Sequence, residues 1–274
     1  MPLYGELYSQ ESEDFKSENH QLFKAVDAVS KGVGTKGIWV IDRGGDRKIV
    51  FSRFFNRGLK FVVRLVGSRD LALKDGSKQN AAKIAYRCPI LLETTIEVDK
   101  EGQKKRKKLS LGFKEVRLPF SEAPLYLVVI KGFSEKPMML LTSLDRPKID
   151  LKRILEIYLT RWKCDESYRF IKQAYNLEDI RLLSYTGLRN MIALVQAVFY
   201  FISVELDKKL KLNILLKKIY EKAKRFFEIP DFKQYAIADG IYRILFSYRP
   251  DVARPPEEKK GPQQLALPFS IHLF

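Results

Sequence analysis

Residues 158–172, YLTRWKCDESYRFIK, place two acids, Asp165 and Glu166, among basic residues, with Tyr158 and Trp162 at the front. At about 100° per residue, Tyr158, Arg161, Asp165, Arg169 and Lys172 fall within roughly an 80° sector of one helix face. Glu166 lies at the edge of that sector and Trp162 about 40° off the Tyr158 row. A carboxylate ringed by guanidinium, ammonium and phenol groups suits phosphodiester chemistry. The acid can hold a divalent ion while the cations and the phenol grip phosphate. The same spacing also produces ordinary i,i+3 and i,i+4 ion pairs on a wet helix face. The helix alone does not separate the two readings.

A second acid bears on the choice. Asp42 closes the apolar run IWVI, which would stand its carboxylate at the C-terminal edge of a buried parallel strand, where α/β sheets commonly present catalytic groups. Taken alone, an Asp before a Gly pair is a turn former. Taken with the 158–172 helix, Asp42 is a candidate partner for Asp165.

Composition limits what this constellation can serve. The chain has 274 residues, 46% of them hydrophobic, enough for one large core or a core with a sizeable insertion. Fifty Lys and Arg against 33 Asp and Glu give a formal net charge of +17, an excess that points to a polyanion, with nucleic acid ahead of anionic membrane. The most apolar run, MIALVQAVFYFISVEL (191–206), contains Gln196, is short for a membrane span and reads as a buried helix. The acidic N-terminal stretch is unlike a signal or transit peptide, so a cytoplasmic protein with no membrane partner is expected. With Cys88, Cys164, His20 and His272 as the only Cys and His, no zinc set or disulfide framework is present, and any metal would be held by oxygen.

The elements that must position these residues fall into zones. GIWVID (37–42) reads as a buried strand, DRKIVFSRFFNRG as a helix with Asp46 as N-cap and Gly58 as terminator, and KFVVRLVG (60–67) as a second strand. Strand, helix and strand in about 30 residues make a βαβ unit with a parallel pair. The expected organisation is a partial core over 1–85, a β-rich insertion over 86–145, a catalytic and a packing helix over 146–205, a helical region over 206–250, and a flexible tail over 251–274. Within the insertion, LLETTIEV, LSLGFKEVRL, LYLVVIKG and PMMLLTSL read as strands. Between the first two, Lys104, Lys105, Arg106, Lys107 and Lys108 form a basic run, expected at a hairpin tip and read as a phosphate-contacting arm. Asp14 and Asp27 read as surface charges, Trp39 as core and Trp162 as a packing residue.

GIWVIDRGGDR, KFVVRLVG, the β insertion and the pattern Y-x2-R-x3-D-x6-K, in that order, resemble the DDE transposases of bacterial insertion sequences with a Tyr, Arg, Glu, Lys signature. The resemblance covers most of residues 1 to about 205. It implies an α/β, RNase H-like core in which acids bind two Mg²⁺ ions, with Mn²⁺ as the alternative. The implied activity is cleavage of transposon ends and strand transfer on double-stranded DNA, by a homodimer around paired ends. Asp42 matches the second acid of the family, and the third falls on Asp165, where the family has Glu, with Glu166 as the neighbouring candidate. Tyr158, Arg161 and Lys172 match phosphate-gripping signature residues, Arg64 resembles a basic residue beside the site, and Arg169 shares their face. No residue here fills the first acid, so the chain is expected to be a C-terminal portion of such an enzyme, with a non-catalytic DNA-binding regulator as the alternative. In the tail, QLALPF resembles the motif by which bacterial proteins bind the replicative sliding clamp, with Gln264 in a polar spot and Leu265, Leu267 and Phe269 in an apolar cleft.

Overall fold

The computed structural model describes residues 3–100, 103–145, 150–175, 177–206, 210–223 and 234–247. They divide into two compact units, residues 1–203 and 204–274.

The first unit is mixed α/β. Helix α1 (Glu18–Val33) is capped by Ser17 and precedes strand β1 (Ile38–Ile41), helix α2 (Lys48–Asn56) and strand β2 (Lys60–Arg64). β1 and β2 run parallel with Trp39 opposite Phe61, so the expected βαβ unit is present. Gly58 ends α2 in the left-handed region at φ 59°, with the Leu59 N–H closing onto the Phe54 carbonyl, a cap geometry that glycine adopts without steric cost. A small ribbon follows, β3 (Asp70–Ala72) with β4 (Lys78–Asn80), and then helix α3 (Ala81–Arg87). The sequence reading had no assignment for this stretch.

Four antiparallel strands come next: β5 (Leu92–Lys100), β6 (Gln103–Val116), β7 (Leu125–Lys131) and β8 (Met138–Thr142). They do not form a separate insertion. β8 pairs antiparallel with β2, so all six strands make one sheet in the order β1-β2-β8-β7-β6-β5. The reason is that β8 carries an apolar side chain on both faces of the pleat, as a strand buried inside a sheet must. β1 is a sheet edge and its residues are half-buried or exposed, unlike the fully buried strand expected from its apolar run.

Each sheet face has its own core. On one face Phe61 and Val63 of β2 pack with Val26 of α1, Val50, Phe51 and Phe54 of α2, and Ile84 of α3. On the other face Val62 packs with Leu109, Leu111, Val128, Ile130, Met138 and Leu140 beneath helix α4 (Leu151–Leu159), which contributes Leu151, Ile154, Leu155 and Tyr158. Trp39 is a half-buried neighbour of the first core, 6.1 Å from Phe54 between ring centroids.

Helix α5 (Trp162–Ala174) follows α4, and α6 (Tyr185–Tyr200) continues into a π-helical turn at Phe201–Glu205. α6 buries only Val195 and Phe199, with Leu194 and Val198 exposed, so the buried helix expected at 191–206 is instead largely open. By length and composition, Tyr185–Glu205 is the one helix among the described residues that could cross a membrane. Part of α6 is covered by the N-terminal segment: the Tyr185 hydroxyl donates to the Leu7 carbonyl at 3.2 Å, and Gln196 lies where any Cβ on Gly5 would stand.

The second unit contains α7 (Leu210–Lys222) and α8 (Gln234–Ser247). Gly240 of α8 meets the backbone of Ile219 so closely that a Cβ would lie 2.2 Å from its carbonyl oxygen.

Candidate nucleic-acid interface

Strand alternation decides which side of the sheet each candidate occupies. Val40 and Val62 belong to the α4 side, whereas Trp39, Ile41, Phe61 and Val63 belong to the α1–α2 side. Arg64, two residues past Val62, and Asp42, two past Val40 with extended backbone, therefore fall on the α4 side. Both stand at the carboxyl ends of parallel strands, which start on paired residues Ile38 and Lys60. The same side carries α4 and the chain that leads from it into α5.

Asp42 is exposed, and its Oδ1 accepts the Gly44 N–H at 2.9 Å, capping a single 3₁₀ turn over Arg43–Gly45. Gly45 is required there because a Cβ would stand 2.5 Å from Ile41 Cγ2. The turn-forming role of an Asp before two glycines is thus realised in this position.

Asp46 departs from its expected role. It does not cap α2, whose N-cap position is Arg47 without a side-chain cap bond. Its side chain is fully buried: Oδ2 accepts the Val66 N–H at 2.8 Å, and Oδ1 pairs with Arg69 Nε at 2.6 Å. Arg69 Nη2 also donates to the Asp46 carbonyl. This clasp ties the loop after Asp42 to the loop after Arg64. Local sequence offered no signal for it, because Arg69 comes 23 residues later. Asp27 likewise is not a plain surface charge: it is one-third exposed and pairs with Arg53 at 2.6 Å and Arg57 at 2.9 Å, fastening α1 to α2.

The 158–172 segment is not one helix. At the junction the Arg161 N–H bonds to Tyr158 O, Lys163 N–H to Thr160 O and Cys164 N–H to Arg161 O, all i to i−3. This tighter winding advances about 120° per residue, so α4 and α5 are out of the phase a continuous α-helix would keep. Tyr158 accordingly turns into the core at 1% exposure, whereas the Asp165 side chain is 61% exposed, so the two do not share an open face. Trp162 is exposed on one side and packs on Phe133 at 5.7 Å between centroids.

Arg161 links the two levels. Its guanidinium lies over the Tyr158 ring, 6.0 Å from the centroid, and it reaches both Asp165 oxygens, at 3.3 and 3.1 Å. Burial is the largest influence and works against its charge, but the Asp165 carboxylate and the Tyr158 phenol together outweigh it and hold its pKa above the ordinary arginine value. The Tyr158 hydroxyl and Arg161 Nε are buried without a hydrogen-bond partner among the described residues. Glu166 is the more covered acid, 18% exposed, and pairs with Arg169 at 2.8 Å. Lys172 and Arg169 are exposed on α5.

Lys104 to Lys108 are not at a hairpin tip. They lie within β6, which begins at Gln103 rather than at the expected Leu109, and pair with β5 from Asp99↔Lys104 to Thr95↔Lys108, because the β-branched Thr94, Thr95, Ile96 and Val98 of the expected strand give them a partner. Arg106, Lys107 and Lys108 are exposed. Gln264, Leu265, Leu267 and Phe269 lie outside the described residues.

A two-ion site needs acids that converge. Among the described residues no group of three or more Asp, Glu, His or Cys is placed to hold a metal ion. Asp165 and Glu166 are each paired with an arginine of their own segment, and Asp42 caps its own turn. Among the described residues the acids do not converge in a way that fits a pair of Mg²⁺ or Mn²⁺ ions. No protein-family model matches this sequence, and no curated protein matches it.

Proposed function

We propose that the protein binds double-stranded DNA through the α4 side of its sheet, as a chain of the DDE transposase type with an RNase H-like core. The observation that carries this reading is that strand alternation puts Arg64 and Asp42 on the sheet face packed under α4, with Arg161 following directly on α4. Guanidinium groups bind phosphate oxygens through charge-assisted hydrogen bonds. The net charge of +17 supplies the long-range attraction for a polyanion.

End cleavage and strand transfer are the chemistry that the resemblance implies. The acids of the described residues favour a narrower role for this chain alone, that of a DNA-binding regulator of the same origin, since arginines pair with Asp165 and Glu166 and no group of three acids converges among those residues. Nicking of a duplex carrying the element's own end, in the presence of Mg²⁺ and with Asp42→Ala as control, separates the two. Salt-sensitive DNA binding without nicking is the expected result. Asp42-dependent nicking by this chain would overturn the regulator reading, and absence of salt-sensitive binding would overturn both.

A further inference from the structure

Helix α3 crosses one end of the sheet. Its first turn is tied to the loop after β2: the Ala81 N–H donates to the Arg69 carbonyl at 2.7 Å and the Ala82 N–H to the Gly67 carbonyl at 3.0 Å. Gly67 itself sits against Ala82 and against Met139 near the start of β8, and a Cβ on it would lie 3.4 Å from the Ala82 Cβ. At the other end of α3, Lys131 Nζ, at the close of β7, donates to the Tyr86 and Cys88 carbonyls at 3.1 and 3.2 Å. Arg64 pairs with Leu140 and Ile130 with Met138, so the carboxyl end of β2, the start of β8 and the close of β7 stand at the same end of the sheet. Asp42 and Arg64 belong to that end, and the Asp46–Arg69 clasp joins the loop after Asp42 to the loop that holds α3.

The seven residues of α3 have two faces. Ala81, Ile84 and Ala85 are buried in the α1–α2 core. Lys83, Tyr86 and Arg87, spaced i, i+3 and i+4, share the opposite face and are exposed, Tyr86 at 59%. Arg69 and Lys74, earlier in the chain, pair with Asp46 and Glu115, whereas neither Lys83 nor Arg87 is paired with an acid among the described residues. On an isolated helix two such cations beside a phenol would be an ordinary wet surface. Fixed across the sheet end that presents Arg64, they form a ledge of ammonium, phenol and guanidinium, groups that contact DNA phosphates.

We infer that the exposed face of α3, with Lys83, Tyr86 and Arg87, is a second contact for the DNA backbone, at the sheet end where β1 and β2 finish. This rests on the DNA-binding reading above and carries the interface from the α4 side round the end of the sheet. Two double variants with the same change in net charge test it. One is Lys83→Gln with Arg87→Gln on α3. The other is Lys31→Gln with Lys36→Gln, exposed residues that lead into β1 at its amino end. All four side chains are exposed, so the buried faces are left intact. Binding of the full chain to a random-sequence duplex of about 30 base pairs is followed by fluorescence anisotropy from about 50 to 300 mM NaCl. Each lost phosphate contact lowers the slope of log K against log salt by about 0.9, so the α3 variant should lose about 1.8 in slope. The Lys31 and Lys36 variant should lose less than about 0.5. Equal losses in the two variants, or no loss in the α3 variant, would overturn the α3 contact while DNA binding stands. A parent chain whose binding ignores salt would instead remove the DNA-binding reading itself.

Discussion

Replacing Asp46 with Ala removes the acceptor for the Val66 N–H and the partner of Arg69 in a site where the carboxylate is wholly buried. An orphaned buried amide costs about 1–3 kcal/mol, and breaking a buried ion pair from one side costs about 3–5 kcal/mol. The two overlap, and Arg69 keeps 23% side-chain exposure through which it can turn to water, so the lower end applies, about 3 kcal/mol. For a unit of this size that is a fall in Tm of roughly 6–12 °C. Asp46→Asn keeps one acceptor oxygen and should lose about half as much. Urea unfolding followed by Trp39 fluorescence reads the effect, since Trp39 packs against the same α1–α2 core. A loss below about 0.5 kcal/mol for Asp46→Ala would mean that the clasp between the loops after β1 and β2 does not hold them together.

Two further outcomes follow from single contacts. Gly240→Ala must push α8 away from Ile219 and should destabilise the 204–274 unit by about 1–3 kcal/mol, read as loss of helical circular dichroism at lower temperature, and an unchanged melt would contradict the close packing. Glu6 has its pKa held below the usual carboxylate range by the Lys24 ammonium at 2.7 Å and then by the Tyr4 hydroxyl, whose own pKa rises to about 12. A depressed carboxyl stabilises the fold above its unfolded pKa and loses that contribution as pH falls through its folded value. The cost of Lys24→Met, about 0.2–1 kcal/mol at neutral pH for a pair this exposed, should vanish in acid, and a cost that persists there would assign Lys24 another role.

What the sequence revealed and what it concealed divide along the range of the interactions. The βαβ unit, the Gly58 stop and four of the strands depend on runs of neighbouring side chains, and periodicity exposes them. The α4–α5 junction was hidden because Leu159 to Trp162 have no Pro or Gly to mark a break, and only hydrogen-bond geometry shows the tightening that buries Tyr158. The Asp46–Arg69 clasp joins residues with no shared pattern, so it emerges only when two loops meet. The place of the basic run depended on strand pairing: Lys104 to Lys108 read as a loop in sequence and lie in β6 because β5 pairs with them.

Hydrogen exchange of the full chain with and without duplex DNA maps the face that binds. Protection should appear over 60–66, 103–109 and 158–166, the segments on or bordering the α4 side of the sheet, and α1 and α2 on the opposite core should exchange as before. Protection confined to α1 and α2, or none at all, would contradict binding through this face.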